Sequence, residues 1–134
     1  MTSRLTLVAL ALLLTMSCGN VIPGLGATGS TSCKYAARKE CFDYIGQSTL
    51  TVTTVKSSCT QNSGVPATTT CDRSGSIGGC KADEAAIMAG ASIITWYFPG
   101  AVVGTSTAPV TLNTSADVMA DCAKAGSDYS YQSP

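Results

Sequence analysis

The placement of cysteine constrains the fold of this 134-residue chain more than any other feature. Seven cysteines are present, and the six between residues 33 and 122 are separated from their neighbours by 7, 17, 11, 8 and 41 residues. Because none of the six forms a Cys-x-x-Cys pair, the spacing fits neither a zinc site nor a thioredoxin-type redox motif. An even number suits disulfides in an oxidising compartment, although it leaves their pairing open. The sequence therefore predicts a disulfide-rich domain held by Cys33, Cys41, Cys59, Cys71, Cys80 and Cys122.

Charged residues are sparse, at 12% of the chain, with 8 basic groups, 8 acidic groups and no histidine. A chain without net positive charge lacks the surface that binds phosphate backbones, so we expect no nucleic-acid partner. The absence of histidine removes the commonest general base and a common metal ligand. Asp83 and Glu84 are adjacent acids, but adjacent side chains on a strand or turn point apart, which favours a solvated turn. We therefore expect a protein that is not an enzyme, with no catalytic residues, no cofactor and no metal site.

The first seventeen residues have the pattern of an export signal. A short segment with one positive charge, Arg4, precedes residues 5–16, which contain only Leu, Val, Ala, Thr and Met. That arrangement is typical of a secretory signal peptide. As a helix the apolar run would rise about 18 Å, well short of the ~30 Å hydrocarbon core of a bilayer. The sequence therefore predicts a cleaved signal peptide over residues 1–17 rather than a transmembrane anchor.

The residues around Cys18 resemble a bacterial lipoprotein processing site, in which the chain is cut before a cysteine that carries fatty acyl groups such as palmitate. Ser17 matches that pattern, whereas Thr15 and Met16 depart from it. Assigning Cys18 to lipid leaves an even number of cysteines for disulfides; an ordinary signal peptide is the alternative. Because Gly19 rather than aspartate follows the cysteine, the resemblance implies the outer membrane of the cell envelope, with secretion as the alternative.

The chain after the signal peptide is predicted to contain two parts. Residues 18–32 are rich in Gly, Ser, Thr and Asn, and are interpreted as the lipidated cysteine followed by a flexible tether. Residues 33–134 are interpreted as a single disulfide-stabilised domain, because they hold all six remaining cysteines. The predicted partner of the tether is the membrane, through the lipid anchor.

Two segments are predicted to be helical. Residues 113–126 place apolar side chains at three- and four-residue intervals, with Ser115 as the N-cap and Gly126 at the C-terminal end. Residues 48–60 resemble that segment, because in both a valine lies four residues before a cysteine and a glycine follows. The similarity predicts a second helix, although the Thr and Val content of residues 48–60 favours a strand.

Strands are predicted at residues 41–45, 76–82 and 91–98, and the last two are expected to form a hairpin. Residues 85–116 carry no charge and are interpreted as a buried central strand followed by a threonine-rich loop. A membrane span there is disfavoured, because no run of about 18 apolar residues is present. The predicted fold class is α+β: a small disulfide-rich domain with a short antiparallel sheet and one or two helices. An all-β sandwich is the alternative.

Aromatic residues supply the one candidate binding surface. Alternation along a strand places Trp96 and Phe98 on one face and Tyr97 on the other. If Tyr97 joins Tyr129 or Tyr131 at the surface, the aromatic side chains form a contact patch for a protein or a glycan. The candidate contact residues are therefore Trp96, Tyr97, Tyr129 and Tyr131.

The combined pattern resembles small cysteine-rich bacterial lipoproteins of unknown function. It consists of the lipoprotein-type start, Cys33, Cys41 followed by Phe-Asp-Tyr-Ile-Gly, Gly79-Cys80, the Trp96-Tyr97 strand and the final helix through Cys122. The resemblance implies a bacterial envelope location and a disulfide framework, but no activity. We expect a non-enzymatic cell-envelope lipoprotein that presents its domain for binding or surface structure. A freely secreted disulfide-rich effector or inhibitor is the alternative.

Overall fold

A computed structural model describes residues 28–83 and 91–134. The predicted signal peptide, Cys18 and Glu84 lie outside these residues. The described part forms two α-helices, eight strands and one short 3-10 helix. In chain order they are β1 (Thr28–Tyr35), the 3-10 helix (Ala36–Arg38), β2 (Glu40–Ser48), α1 (Thr49–Gln61), β3 (Val65–Ala67), β4 (Gly78–Asp83), β5 (Ser92–Tyr97), β6 (Ala101–Thr105), β7 (Ala108–Leu112), α2 (Ser115–Ala125) and β8 (Tyr129–Gln132).

Six strands form one antiparallel sheet in the order β3-β1-β2-β5-β4-β8, and β6 and β7 form a separate two-stranded hairpin. The central position of β5 confirms the predicted buried strand, and β4 and β5 pair antiparallel as the predicted hairpin requires. Two helices with a six-stranded sheet confirm the α+β class rather than the all-β alternative. In the described residues, no helix has the length and apolarity that crossing a membrane requires.

Three disulfides decide which elements cover each face of the sheet. Cys33, Phe42, Thr95 and Cys80 lie in one row across β1, β2, β5 and β4, so their side chains point to the same face. Cys33–Cys59 holds α1 on that face and Cys80–Cys122 holds α2 there. Cys41–Cys71 fastens residues 68–77 to the opposite face. The six cysteines are therefore paired as predicted in number, and the pairing places both helices on one side of the sheet.

The pairing has a specific proteolytic signature. Trypsin is expected to leave a three-peptide assembly, in which peptide 57–73 holds Cys59 and Cys71 and is joined to the peptides of Cys33 and Cys41. Peptides 74–81 and 82–124 are expected to form a separate pair. Elastase cleavage after Ala67 then separates Cys59 from Cys71. Mass spectrometry of the unreduced fragments identifies the cysteine to which each of the two is bonded. A Cys59 fragment joined to the Cys41 peptide would contradict the fold.

The domain begins before the predicted boundary at residue 33. Strand β1 starts at Thr28 and pairs with β2 along its length, so the end of the predicted tether, residues 28–32, belongs to the sheet. Thr31 is only 1% exposed, and its hydroxyl donates to the Ala67 carbonyl at 2.7 Å. The polar composition of residues 28–32 suggested coil. They form a strand instead, because β2 and β3 provide hydrogen-bond partners for their backbone amides and carbonyls, and because threonine packs well in sheets.

The predicted threonine-rich loop after β5 is in part the β6–β7 hairpin. At its turn the Ala108 amide donates to the Thr105 hydroxyl at 3.2 Å. Ala101 and Leu112, paired across the hairpin, are fully buried against Tyr97 and Val118. The loop prediction was wrong here because threonine serves in turns and in strands, and the buried ends of the hairpin decide between them.

Helix α1 confirms the predicted helix over residues 48–60, despite its threonines. The Ser48 hydroxyl accepts from the Thr51 amide at 3.2 Å, which caps the first turn. Three threonine hydroxyls donate to carbonyl oxygens four residues earlier, at 3.0 to 3.1 Å, and thereby find partners within the helix. The helix ends against Gly64, where an added Cβ would lie 2.6 Å from the Cys33 sulfur and 2.7 Å from the Cys59 sulfur. A glycine is therefore required beside this disulfide.

Helix α2 begins at Ser115, so its N-cap lies one residue before the predicted one. Thr114 is the N-cap, and it forms a capping box with Asp117 in which each side chain accepts from the other's backbone amide. Hydrogen bonds from the Asn113 amide and from the Thr114 side chain and amide hold the pKa of Asp117 below its usual range. A carboxylate with a lowered folded pKa stabilises the fold above its unfolded pKa, and the contribution disappears as the pH falls through the folded pKa.

The position of this cap is tested with two adjacent substitutions. Thr114→Ala is expected to lower the free energy of unfolding by about 1 kcal/mol, because the Asp117 amide loses its acceptor. Ser115→Ala is the matched control and is expected to change it by about 0.5 kcal/mol or less. Urea denaturation followed by the fluorescence of the single tryptophan measures both. A larger loss for Ser115→Ala would place the cap at the predicted residue instead.

Candidate functional site

A groove lies on the helical face of the sheet, beside α2, with a volume of about 380 Å³. Alternation along the central strand points Ile93, Thr95 and Tyr97 into it. The neighbouring strand β4 contributes Cys80 and Ala82, and the edge strand β8 contributes Tyr129, which pairs with Ala82. The wall opposite the sheet consists of Asp121 and Ala125 on α2 and of Asp128 after it.

The position of α2 follows from its sequence pattern and its disulfide. Asp121 and Ala125 are four residues apart and therefore share one face of the helix. Val118 and Cys122 are fully or almost fully buried and fix the rotation of the helix against the sheet. Because Cys122 is bonded to Cys80 in the groove floor, Asp121 is held at the rim.

The predicted aromatic patch is divided between the two faces of the sheet. Tyr97 and Tyr129 line the groove together. Tyr131 is half-buried and packs against the core cluster beside the groove. Trp96 points to the opposite face, is 1% exposed and packs with Cys41, Cys71 and Phe98. Trp96 therefore does not belong to a surface patch. Successive side chains of a strand point to opposite faces of the sheet, so when Tyr97 faces the groove, Trp96 must pack in the core of the other face.

Tyr97 is the most unusual polar group in the groove. Its side chain is only 8% exposed, and its hydroxyl has no hydrogen-bond partner within residues 28–83 and 91–134. Burial, together with the smaller effects of Asp121, Glu40 and Tyr129, raises the pKa of Tyr97 to about 12. The phenol is therefore protonated at neutral pH and can donate a hydrogen bond to a ligand in the groove.

Negative charge dominates the groove and its surroundings. Asp121 has no ion pair or hydrogen bond among the described residues, and Asp128 accepts only from the Ser127 hydroxyl, at 3.3 Å. No basic residue of the described chain lines the groove. Glu40 lies nearby; burial raises its pKa, and the Arg38 guanidinium, 3.2 Å away, lowers it. The arrangement can therefore hold a ligand through two uncompensated carboxylates and the phenol groups and ring surfaces of two tyrosines.

A buried carboxylate on the opposite face, Asp43, has a structural role that the sequence did not reveal. Its two oxygens accept from the Cys71 amide at 2.6 Å and from the Trp96 indole N–H at 2.8 Å. Arg73 lies over the same indole, 4.5 Å from the ring centroid. Asp43 thereby fixes residues 68–77 against the sheet, and its 1% exposure leaves no room for a ligand.

The aromatic pattern in the sequence pointed to Tyr97 and Tyr129 but not to the two aspartates. Asp121 stands directly before a cysteine of the predicted helix and Asp128 directly before Tyr129. The only signal in the sequence was that each aspartate neighbours a disulfide cysteine or a candidate aromatic residue. This signal points to the groove only once Cys122 is known to pair with Cys80. Within the described residues, no cluster of three or more His, Cys, Asp and Glu side chains has the arrangement of a metal site.

The chain was compared with known families, curated proteins and solved structures. Nothing in these comparisons matches it. Three disulfides are typical of extracellular or cell-envelope proteins, which fold in an oxidising compartment.

Proposed function

We propose that the protein is a non-enzymatic lipoprotein of the bacterial cell envelope whose disulfide-rich domain binds a ligand in the groove. The observation that carries the binding role is the largely buried Tyr97 side chain, which lines the groove and whose hydroxyl has no hydrogen-bond partner in the described chain. The hydroxyl therefore stays accessible from the groove. A ligand in the groove can pair with it.

The envelope location is supported by the chemistry of the cysteines. The described domain uses six cysteines in three disulfides, which leaves Cys18 as the seventh. Acylation of Cys18 and export to the outer membrane account for the odd number without an unpaired thiol. Ten residues separate the start of a chain cut before Cys18 from Thr28, the first residue of β1. Such a segment spans at most about 35 Å, which keeps the domain close to the membrane.

Intact mass of the natively exported protein tests the anchor. We expect a chain that starts at Cys18, carries two or three acyl groups and gains two hydrogens on reduction for each of its three disulfides. Cys18→Ser is the matched variant, which is expected to lose the acyl mass and the membrane association. Because residue 18 lies outside the domain, this variant is expected to keep the three disulfides.

An unmodified mature chain that begins beyond Cys18 would contradict the anchor. The protein would then be a diffusible secreted effector or inhibitor, and membrane fractionation would recover it in the soluble fraction. The binding role of the groove is independent of that outcome, since none of the groove residues lies near the proposed cleavage site in sequence.

A further inference from the structure

We infer that the groove recognises a small organic cation with an ammonium head group. This ligand class rests on the proposed binding role of the groove and does not depend on the lipid anchor. Three features of the groove favour it: the sign of its charge, its aromatic walls and its size.

The sign of the charge selects against anions. Asp121 and Asp128 both line the groove, and no described basic side chain there offsets them. The nearby Glu40 is compensated by Arg38, so the two aspartates supply the uncompensated charge. A cation placed between them gains Coulomb attraction that an uncharged ligand of the same shape does not gain, and an anion is repelled.

The aromatic walls suit an ammonium group. Tyr129 is 43% exposed, so part of its ring is available to a ligand, and Tyr97 lies beside it. Cations are attracted to the face of an aromatic ring within about 6 Å of its centroid. The phenol oxygen of Tyr97 can in addition accept a hydrogen bond from an ammonium N–H. The combination of carboxylates, aromatic rings and a phenol oxygen in one groove fits a protonated or methylated amine.

The size and the apolar floor limit the rest of the ligand. A volume of about 380 Å³ lies near the lower end of the range of about 300–1,000 Å³ for small-molecule sites. Ala82, Ile93 and Ala125 supply aliphatic surface next to the carboxylates. Methyl or methylene groups attached to the nitrogen would contact this surface. The structure therefore favours a compact amine over a long polyamine or an extended oligosaccharide.

Matched probes isolate the charge. The natively exported protein, in non-ionic detergent, is titrated with choline and with 3,3-dimethyl-1-butanol, which replaces the nitrogen of choline by carbon. Ethanolamine serves as the primary amine and N-acetylglucosamine as the neutral glycan probe. Changes in the amide chemical shifts of isotopically labelled protein report the dissociation constant of each probe and the location of its binding site. We expect the dissociation constant of choline to be lower than that of its neutral isostere by a factor of about ten or more, and a factor of ten corresponds to ~1.4 kcal/mol.

Variants of the groove locate the site. Asp121→Asn and Asp128→Asn are each expected to weaken choline binding about three- to tenfold. Tyr129→Leu is expected to weaken it about fivefold, because the aliphatic side chain offers no ring face. Tyr97→Phe is expected to weaken the binding of ethanolamine, because the ammonium N–H group of this ligand loses its hydrogen-bond acceptor. Asp72→Asn, which removes an exposed charge from the segment on the opposite face, is the control and is expected to change nothing.

Several results would overturn the inference. Equal dissociation constants for choline and its isostere, or unchanged binding in the four groove variants, would show that the aspartates and tyrosines do not select a cation. Shifts at the groove with N-acetylglucosamine alone would retain the binding role and replace the ligand class by a neutral glycan. No shift at the groove with any probe would reject the ligand class and the proposed binding role together, whatever the mass of the anchor.

Discussion

Replacing both Cys80 and Cys122 with alanine is expected to lower the free energy of unfolding by about 2–5 kcal/mol. This disulfide joins β4 to α2 across 42 residues of sequence, and both cysteines are buried. Its loss releases the helix from the sheet and also removes two buried side chains from a core that includes Leu112 and Val118. Urea denaturation followed by tryptophan fluorescence measures the change.

The Cys33–Cys59 disulfide provides the matched control. It spans 26 residues, and loop-closure entropy for 26 and 42 residues differs by only about 0.4 kcal/mol. A double alanine variant of Cys33 and Cys59 is therefore expected to lose a similar amount of stability. Under conditions where both variants are folded, only the Cys80 and Cys122 variant is expected to lose binding at the groove, because its disulfide positions Asp121. Equal binding by both variants would contradict the role assigned to α2.

Replacing Asp43 is expected to destabilise the opposite face of the sheet by about 2–5 kcal/mol. Asp43→Ala leaves the Cys71 amide and the Trp96 indole N–H, both buried, without their acceptor. Asp43→Asn is expected to cost less, because the amide oxygen accepts from one donor, while its NH2 group faces the other. Thermal and urea unfolding followed by circular dichroism compare the two variants with the unsubstituted protein.

Two controls separate this hydrogen-bond pair from a general effect of charge. Asp72→Asn changes an exposed carboxylate in the same segment, which accepts from the Ser74 amide at 3.0 Å, and is expected to have a much smaller effect. Trp96→Phe removes one donor, so the losses from Trp96→Phe and Asp43→Ala are expected to be less than additive when combined. Full additivity would show that the two side chains do not stabilise the fold through their contact.

Local patterns were sufficient where a single element contains its own signal. The apolar spacing around Val118 and Cys122 predicted α2, and the β-branched and aromatic run predicted β5 at the centre of the sheet. The comparison of α2 with residues 48–60 predicted α1, whose serine cap and threonine hydrogen bonds satisfy the first and middle turns. Each of these signals lies within a few residues of the helix or strand that it predicts.

Local patterns failed where polar segments need a distant partner. Residues 28–32 and the β6–β7 hairpin have compositions of coil, yet they pair as strands and bury Thr31 and Leu112. The N-cap of α2 was misplaced by one residue because Thr114 and Ser115 have the same capping chemistry. Only the direction in which the chain enters the helix, which depends on β7 before it, decides between them.

The sequence by itself determined the six cysteines of the domain and the alternation that separates Tyr97 from Trp96, and it favoured the α+β class over the all-β alternative. Only the tertiary structure decided which cysteines pair and therefore which face carries both helices. It also decided that Tyr97 and Tyr129 share a groove with Asp121 and Asp128. The physical reason is distance along the chain: periodicity acts over a few residues, whereas Cys80 and Cys122 meet across 42 residues of sequence.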